Sequence, residues 1–150
     1  MMDKNLNRKT DGLLNSYNLI LAEIKNLEIE IEELRLEYNG YKSINYNEKT
    51  SKTFKINNVV EEEYIRKETL IDKLMKEKEN KERLINKVDN ALSTLDDKER
   101  SIVKLRCIDN KPWKEVGELL GLDYDYAGRI KRTAIKKISD LIWIKEKYSK

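Results

Sequence analysis

Apolar residues recur every three or four positions along the first third of the chain. Leu13, Tyr17, Ile20, Ile24, Leu27, Ile31, Leu34 and Tyr38 make a heptad seam. Glu23, Lys25, Glu28, Glu30, Glu32, Glu33, Arg35 and Glu37 fill the other faces. The spacing predicts one helix over 13–38, roughly 39 Å long at about 1.5 Å per residue. A narrow seam on so long a helix needs a partner helix. Asp11-Gly12 reads as its start and Asn39-Gly40 as its stop. Over 41–58 Asn, Ser, Thr and Lys dominate and the helical period fades, so a polar connector, mobile or folded as a short polar hairpin, is expected at about 40–59. Phe54-Lys55-Ile56 hints at a short extended piece within it. A second long helix is expected from about Val60 to Ala91. Its stripe of Val60, Tyr64, Ile71, Leu74, Ile85, Val88 and Leu92 is interrupted by Lys67, Lys78 and Lys81. Either the two long helices pair antiparallel, or both contribute to a dimer.

After Ser93 the pattern shortens. Asp96 followed by Glu99 has the form of a capping box opening a short amphipathic helix with Ile102, Val103, Leu105, Arg106 and Ile108. Asp109-Asn110-Lys111-Pro112 reads as a turn, with Pro112 at the first position of the next helix. That helix runs from Trp113 to Leu120, with Val116, Leu119 and Leu120 inward and Gly121 ending it. Asp123 caps a last helix that passes through Ile130, Ala134, Ile138 and Leu141 toward Trp143. Two short helices joined at a Gly-containing turn, the second one basic, make a helix-turn-helix pattern. Ala127, Ile130 and Ala134 would form the inner face of the second helix. Tyr124, Asp125, Tyr126, Gly128, Arg129, Lys131, Arg132 and Lys136 would face double-stranded DNA. Arginine donates bidentately to guanine, and lysine or tyrosine holds phosphates.

Composition sharpens this picture. Of 150 residues, 39% are apolar and 39% charged, against roughly 45–50% and about 25% in average globular chains. Five Gly and one Pro leave few helix breakers, so the fold class expected is all-α. Histidine is absent and Cys107 is the lone cysteine, which excludes an internal disulfide, a Cys/His zinc site, a Ser-His-Asp triad and a Cys-His dyad. No phosphate-cradling glycine loop occurs. No enzyme activity, cofactor or metal is therefore expected. The first residues lack the apolar core of a signal peptide and no run of about 18 apolar residues occurs, so no membrane association and a cytoplasmic location are expected. The net charge of +3 is uneven: residues 96–150 carry fourteen Lys/Arg against ten Asp/Glu, while residues 1–60 balance at nine each. Such a local basic face suits a polyanion.

Several short motifs fall in order here: Leu95 to Arg106, Trp113-Lys114-Glu115-Val116-Gly117, Leu120-Gly121-Leu122 and Arg129-Ile130-Lys131-Arg132-Thr133-Ala134. Together, over about residues 92–142, they resemble region 4 of sigma-70 family factors. The resemblance implies a helix-turn-helix that reads a promoter element and touches RNA polymerase. The remainder is similar to phage and prophage regulators of the ArpU/RinA type, which implies activation of late or packaging genes in the cytoplasm of a bacterial host cell. Three positions depart from the pattern: Pro112 where a Ser or Thr cap is common, Gly117 where alanine is usual, and Gly128 where a basic residue is common. No stretch resembles the promoter-melting region of a complete sigma factor.

The expected organisation is a long-helix interaction part at 1–92 and a DNA-binding domain at 93–150. The expected function is sequence-specific transcriptional regulation by a homodimer whose recognition helix starts near Asp123, with two such helices spaced by about one DNA turn or a multiple of it. RNA polymerase is a further candidate partner. A small terminase-like packaging adaptor, a coiled-coil interaction protein whose C-terminal domain binds protein rather than DNA, and a sigma-like polymerase-associated factor are the alternatives.

Overall fold

The structure is a computed structural model that describes the backbone of residues 2–47 and 54–149. Among the described residues all regular structure is helical, with no strand. The order is α1 (Met2–Asn15), α2 (Tyr17–Asn47), α3 (Phe54–Ser93), α4 (Asp97–Ile102), a π-helical turn (Val103–Ile108), α5 (Trp113–Leu120), α6 (Tyr124–Ile142) and α7 (Ile144–Tyr148). No described helix is long and apolar enough to cross a membrane.

The chain forms two compact units. One is residues 1–21 with 83–150; the other is residues 22–82. This grouping cuts the chain differently from the expected division at residue 92. The reason lies in α1. Leu6, Thr10 and Leu14, four residues apart, are all buried, and Leu14 has no exposed surface. Leu14 joins Val88, Ala91, Leu95, Val103, Cys107, Ile108, Ala134, Ile135, Ile138 and Ile142 in one core. Trp143 packs against that core and donates its indole N–H to Thr10 Oγ1 at 2.8 Å. Thr10 in turn donates to the Leu6 carbonyl at 2.8 Å. Tyr17 reaches Asp89 with a 2.6 Å bond, and burial, then the Asp89 carboxylate, pushes its phenol up to about 12.

The packing of α1 overrides the local start signal at Asp11-Gly12, through which the helix runs without a break. The interruption falls at Ser16 instead. Asn39-Gly40 does not stop α2 either, and α3 begins at Phe54, where an extended piece was expected. An interior Gly costs about 1 kcal/mol relative to Ala, and a long helix propagates cooperatively through such a cost. Residues 48–53, the middle of the expected connector, and the Tyr38 side chain lie outside the described residues.

Within the second unit α2 and α3 run antiparallel. Glu37 pairs with Lys67 at 3.0 Å, Glu28 with Lys78 at 3.4 Å and Glu23 with Lys81 at 2.7 Å, the numbers falling on α2 as they rise on α3. Ile24, Ile31 and Ile71 are buried along the seam. The three lysines that interrupt the apolar stripe of α3 are thus the cations that fix its register on α2. The bond to Glu23 holds the Lys81 ammonium above its ordinary range.

Truncating Leu14 to Ala should destabilise the chain by about 2–5 kcal/mol, as for other buried leucines. Urea unfolding followed by circular dichroism measures this. A loss below about 1 kcal/mol would mean that α1 is not part of the core.

Candidate nucleic-acid interface

The short helices are set by local chemistry. Asp96 Oδ1 accepts from the Glu99 N–H at 2.8 Å, and Glu99 Oε1 accepts from the Asp96 N–H at 3.3 Å. This reciprocal pair opens α4 as the sequence predicts. Arg100 folds back and donates to the carbonyls of Leu92 at 3.1 Å and Leu95 at 2.7 Å, satisfying acceptors at and beyond the end of α3. The chain then winds wider than an α-helix through Val103–Ile108, where a regular amphipathic helix was expected. Val103, Cys107 and Ile108 are buried there, and burial pushes the Cys107 thiol up to about 11. Asn110 takes a left-handed conformation, φ 55°, to turn the chain into α5.

Arg106 lies 5.0 Å from the ring centre of Trp113 and donates to the Lys111 carbonyl at 3.0 Å, so it braces the start of α5. Pro112 occupies the residue before the helix, φ −65° and ψ 152°, one position earlier than predicted. Val116 is fully buried, while Leu119 is 59% exposed, contrary to its expected inward place. The inner face of this eight-residue helix is anchored at Val116, and Leu119, three residues on, lies beside that face.

Gly121 ends α5 in the left-handed region, φ 64° and ψ 37°, where a side chain is strained. Its N–H and that of Leu122, at 3.1 Å for the latter, converge on the Gly117 carbonyl. A Cβ on Gly117 would stand 3.0 Å from the Leu122 carbonyl oxygen. Glycine at 117 therefore matches a closely folded turn. Asp123 holds the N-terminal flank of α6 with its backbone, whose carbonyl accepts from Ala127 N–H at 2.9 Å; its carboxylate makes no capping bond.

Helix α6 is strongly two-faced. Ala127, Ala134, Ile135, Ile138, Ser139 and Ile142 are buried. Asp125, Arg129, Arg132 and Lys136 are exposed at steps of four, three and four, so one outward stripe carries three cations. Tyr124 and Tyr126 are exposed at 55% and 47%, beside that stripe. Gly128 is half-buried, and a Cβ there would meet nothing within 4 Å. Lys131 is different. It is half-buried and paired with Asp11 of α1 at 3.4 Å, which ties it to the packing side of the helix.

A groove of about 650 Å³ runs between α4 and α6. Lys98 stands 5.2 Å from the Tyr126 ring centre on one wall. Lys137 closes it by bonding the buried Glu99 at 3.0 Å, tying the α4 cap to α6. Neither lysine stands among the expected DNA-facing residues. The partner of Lys137 lies 38 positions away, so no local pattern marks the pair, but Lys98 inside the capping box was a visible cation. Among the described residues no cluster of carboxylates and cysteine could hold a metal.

The sequence of this segment has known relatives. Residues 91–140 match the family described as Sigma-70, region 4. They form a sigma-70 region 4-like helix-turn-helix, one third of the chain. The RNA polymerase sigma-B factor of Bacillus subtilis (strain 168) is 36% identical over 53 residues, 35% of this chain and 20% of that protein. The chain thus spans about a fifth of the length of this curated relative. No solved structure matches the chain.

The Asp96 carboxylate is held below its ordinary range chiefly by the Glu99 N–H, with further help from the Glu99 side chain and Lys137. The cap therefore stabilises the fold above the ordinary value of 3.8 and is lost as pH falls through the lowered value. The stability difference between the natural chain and Asp96→Ala should be present at pH 7 and vanish in strong acid. A difference that persists unchanged below pH ~2 would assign it to something other than the carboxylate.

Proposed function

We propose that this chain binds double-stranded DNA sequence-specifically to control transcription, with α6 lying in the major groove. The observation that carries the reading is the outward stripe of Asp125, Arg129, Arg132 and Lys136 on a helix whose other face is locked into the core. An α-helix fits the major groove, where Arg129 and Arg132 can donate to guanine and Lys136 to phosphate. Asp125 accepts from cytosine or disfavours wrong sites. Tyr124 and Tyr126 flank the stripe and hold the backbone, and open space at Gly128 lets a duplex come close. Lys131, paired with Asp11, holds α6 against α1 and adds no net charge to the stripe.

The region 4-like segment supports a transcription role. We place the chain among phage-type late-gene regulators on the resemblance of its helical N-terminal part, followed by that segment, to the ArpU/RinA type. In this reading the regulator is a homodimer that acts without catalysing a reaction. The similarity to a sigma-B factor favours a second reading, in which the chain acts with RNA polymerase. A mobility shift with purified protein alone separates the two: autonomous binding supports a regulator, and a shift only with core polymerase supports the second reading.

Arg129→Ala should weaken binding to the preferred site and relax selection at one base step, by about 1–3 kcal/mol. Equal loss on every sequence would reassign Arg129 to phosphate. Binding should also weaken steeply with salt, and Lys136→Ala should reduce the log–log slope by about one. A flat salt dependence would contradict a phosphate-tracking face.

A further inference from the structure

The outward face of α2 carries an apolar series that its pairing with α3 leaves uncovered. Ile29 is 52% exposed and Leu36 65% exposed, seven residues apart, and Ala22 continues the series one heptad earlier. These positions lie opposite Ile24 and Ile31, which are buried against α3. Lys25 and Glu33, both exposed, flank Ile29 at four residues on either side, about 6 Å along the axis each way.

We propose that this face is a dimer interface between two copies of the chain, in which two α2 helices cross antiparallel about a twofold axis through Ile29. The two alignments of identical helices differ in charge. In the parallel alignment Lys25 meets Lys25 and Glu33 meets Glu33. In the antiparallel alignment centred on Ile29, Lys25 of each copy meets Glu33 of the other, and this happens twice by symmetry. The same register sets Ala22 opposite Leu36, a small residue against a large one, and Asn26 opposite Glu32, a donor against an acceptor. The Lys25–Glu33 pairs are thus complementary in the antiparallel alignment, where the parallel one sets like charges together; Glu28 and Glu30, level with each other in the same register, lie about 100° off the face on either side. An isologous contact of this kind closes on itself and stops at two copies. The apolar stripe is short, so charge decides the alignment, while Ile29 and Leu36 supply the buried area.

The inference deepens the homodimer in the proposed function. Sedimentation equilibrium of the full chain across a concentration series tests it. The natural chain should move from 17.8 kDa toward twice that mass. Lys25→Glu should raise the dimer dissociation constant by about tenfold or more, because two attractive pairs become repulsive. Lys25→Glu with Glu33→Lys should restore it, since the swapped charges face each other again. Ile29→Glu should leave a monomer with unchanged helical circular dichroism. A monomer at all concentrations, a ring-sized mass, a dimer indifferent to Lys25→Glu, or failure of the double variant to recover would each overturn the interface. A mobility shift on the same samples keeps the two ideas apart. Monomers that still shift DNA sink only the interface, and dimers that never do so sink only the DNA reading.

Discussion

Burial of one stripe of α6 is the constraint from which the rest follows. Ala134, Ile135, Ile138 and Ile142 are held in a core with Leu14, Val88, Ala91 and Val103, residues drawn from both ends of the chain. A helix fixed on that side has no freedom to rotate. Its charged residues are then presented as a rigid outward row, and a rigid row can discriminate bases where a rotating one only attracts phosphate. The Trp143–Thr10 bond and the Lys131–Asp11 pair add polar stitches at two places along the same packing. The short helices before α6 serve the same end. The α4 cap bonds to α6 through Glu99 and Lys137, and the Gly121 turn sets where α6 begins.

In the helix pair of residues 22–82, specificity replaces bulk. Buried isoleucines supply the seam, but Lys67, Lys78 and Lys81 share it, each matched to a glutamate on α2. Exposed ion pairs contribute little individually, about 0–1 kcal/mol. Their value here is register: a shift by one turn would set each lysine against a different residue. The chain thus trades some apolar contact for a single alignment.

Elements governed by neighbours in sequence were legible in it. The Asp96–Glu99 box, the left-handed Gly121 and the two-faced α6 all depend on residues within a turn or two, and the heptad series showed that α2 needed a partner. Elements governed by distant residues were not. Asp11 and Lys131 meet across 120 positions, so Lys131 looked like one more outward cation. Asp11-Gly12 and Asn39-Gly40 have the composition of helix ends, yet tertiary packing in the first case and cooperative extension in the second carry the helix through. The wide turn at Val103–Ile108 has no local signature, because its shape answers to the core that Cys107 and Ile108 enter.

The central claim is that the outward row of α6 lies in a major groove. Methylation interference on a site recovered with the purified protein tests it most directly. Guanine N7 faces the major groove and adenine N3 the minor groove. Methylation at one or more guanine N7 atoms within the site should abolish binding. Binding that ignores every N7 methyl group but fails on adenine N3 methylation would contradict the account.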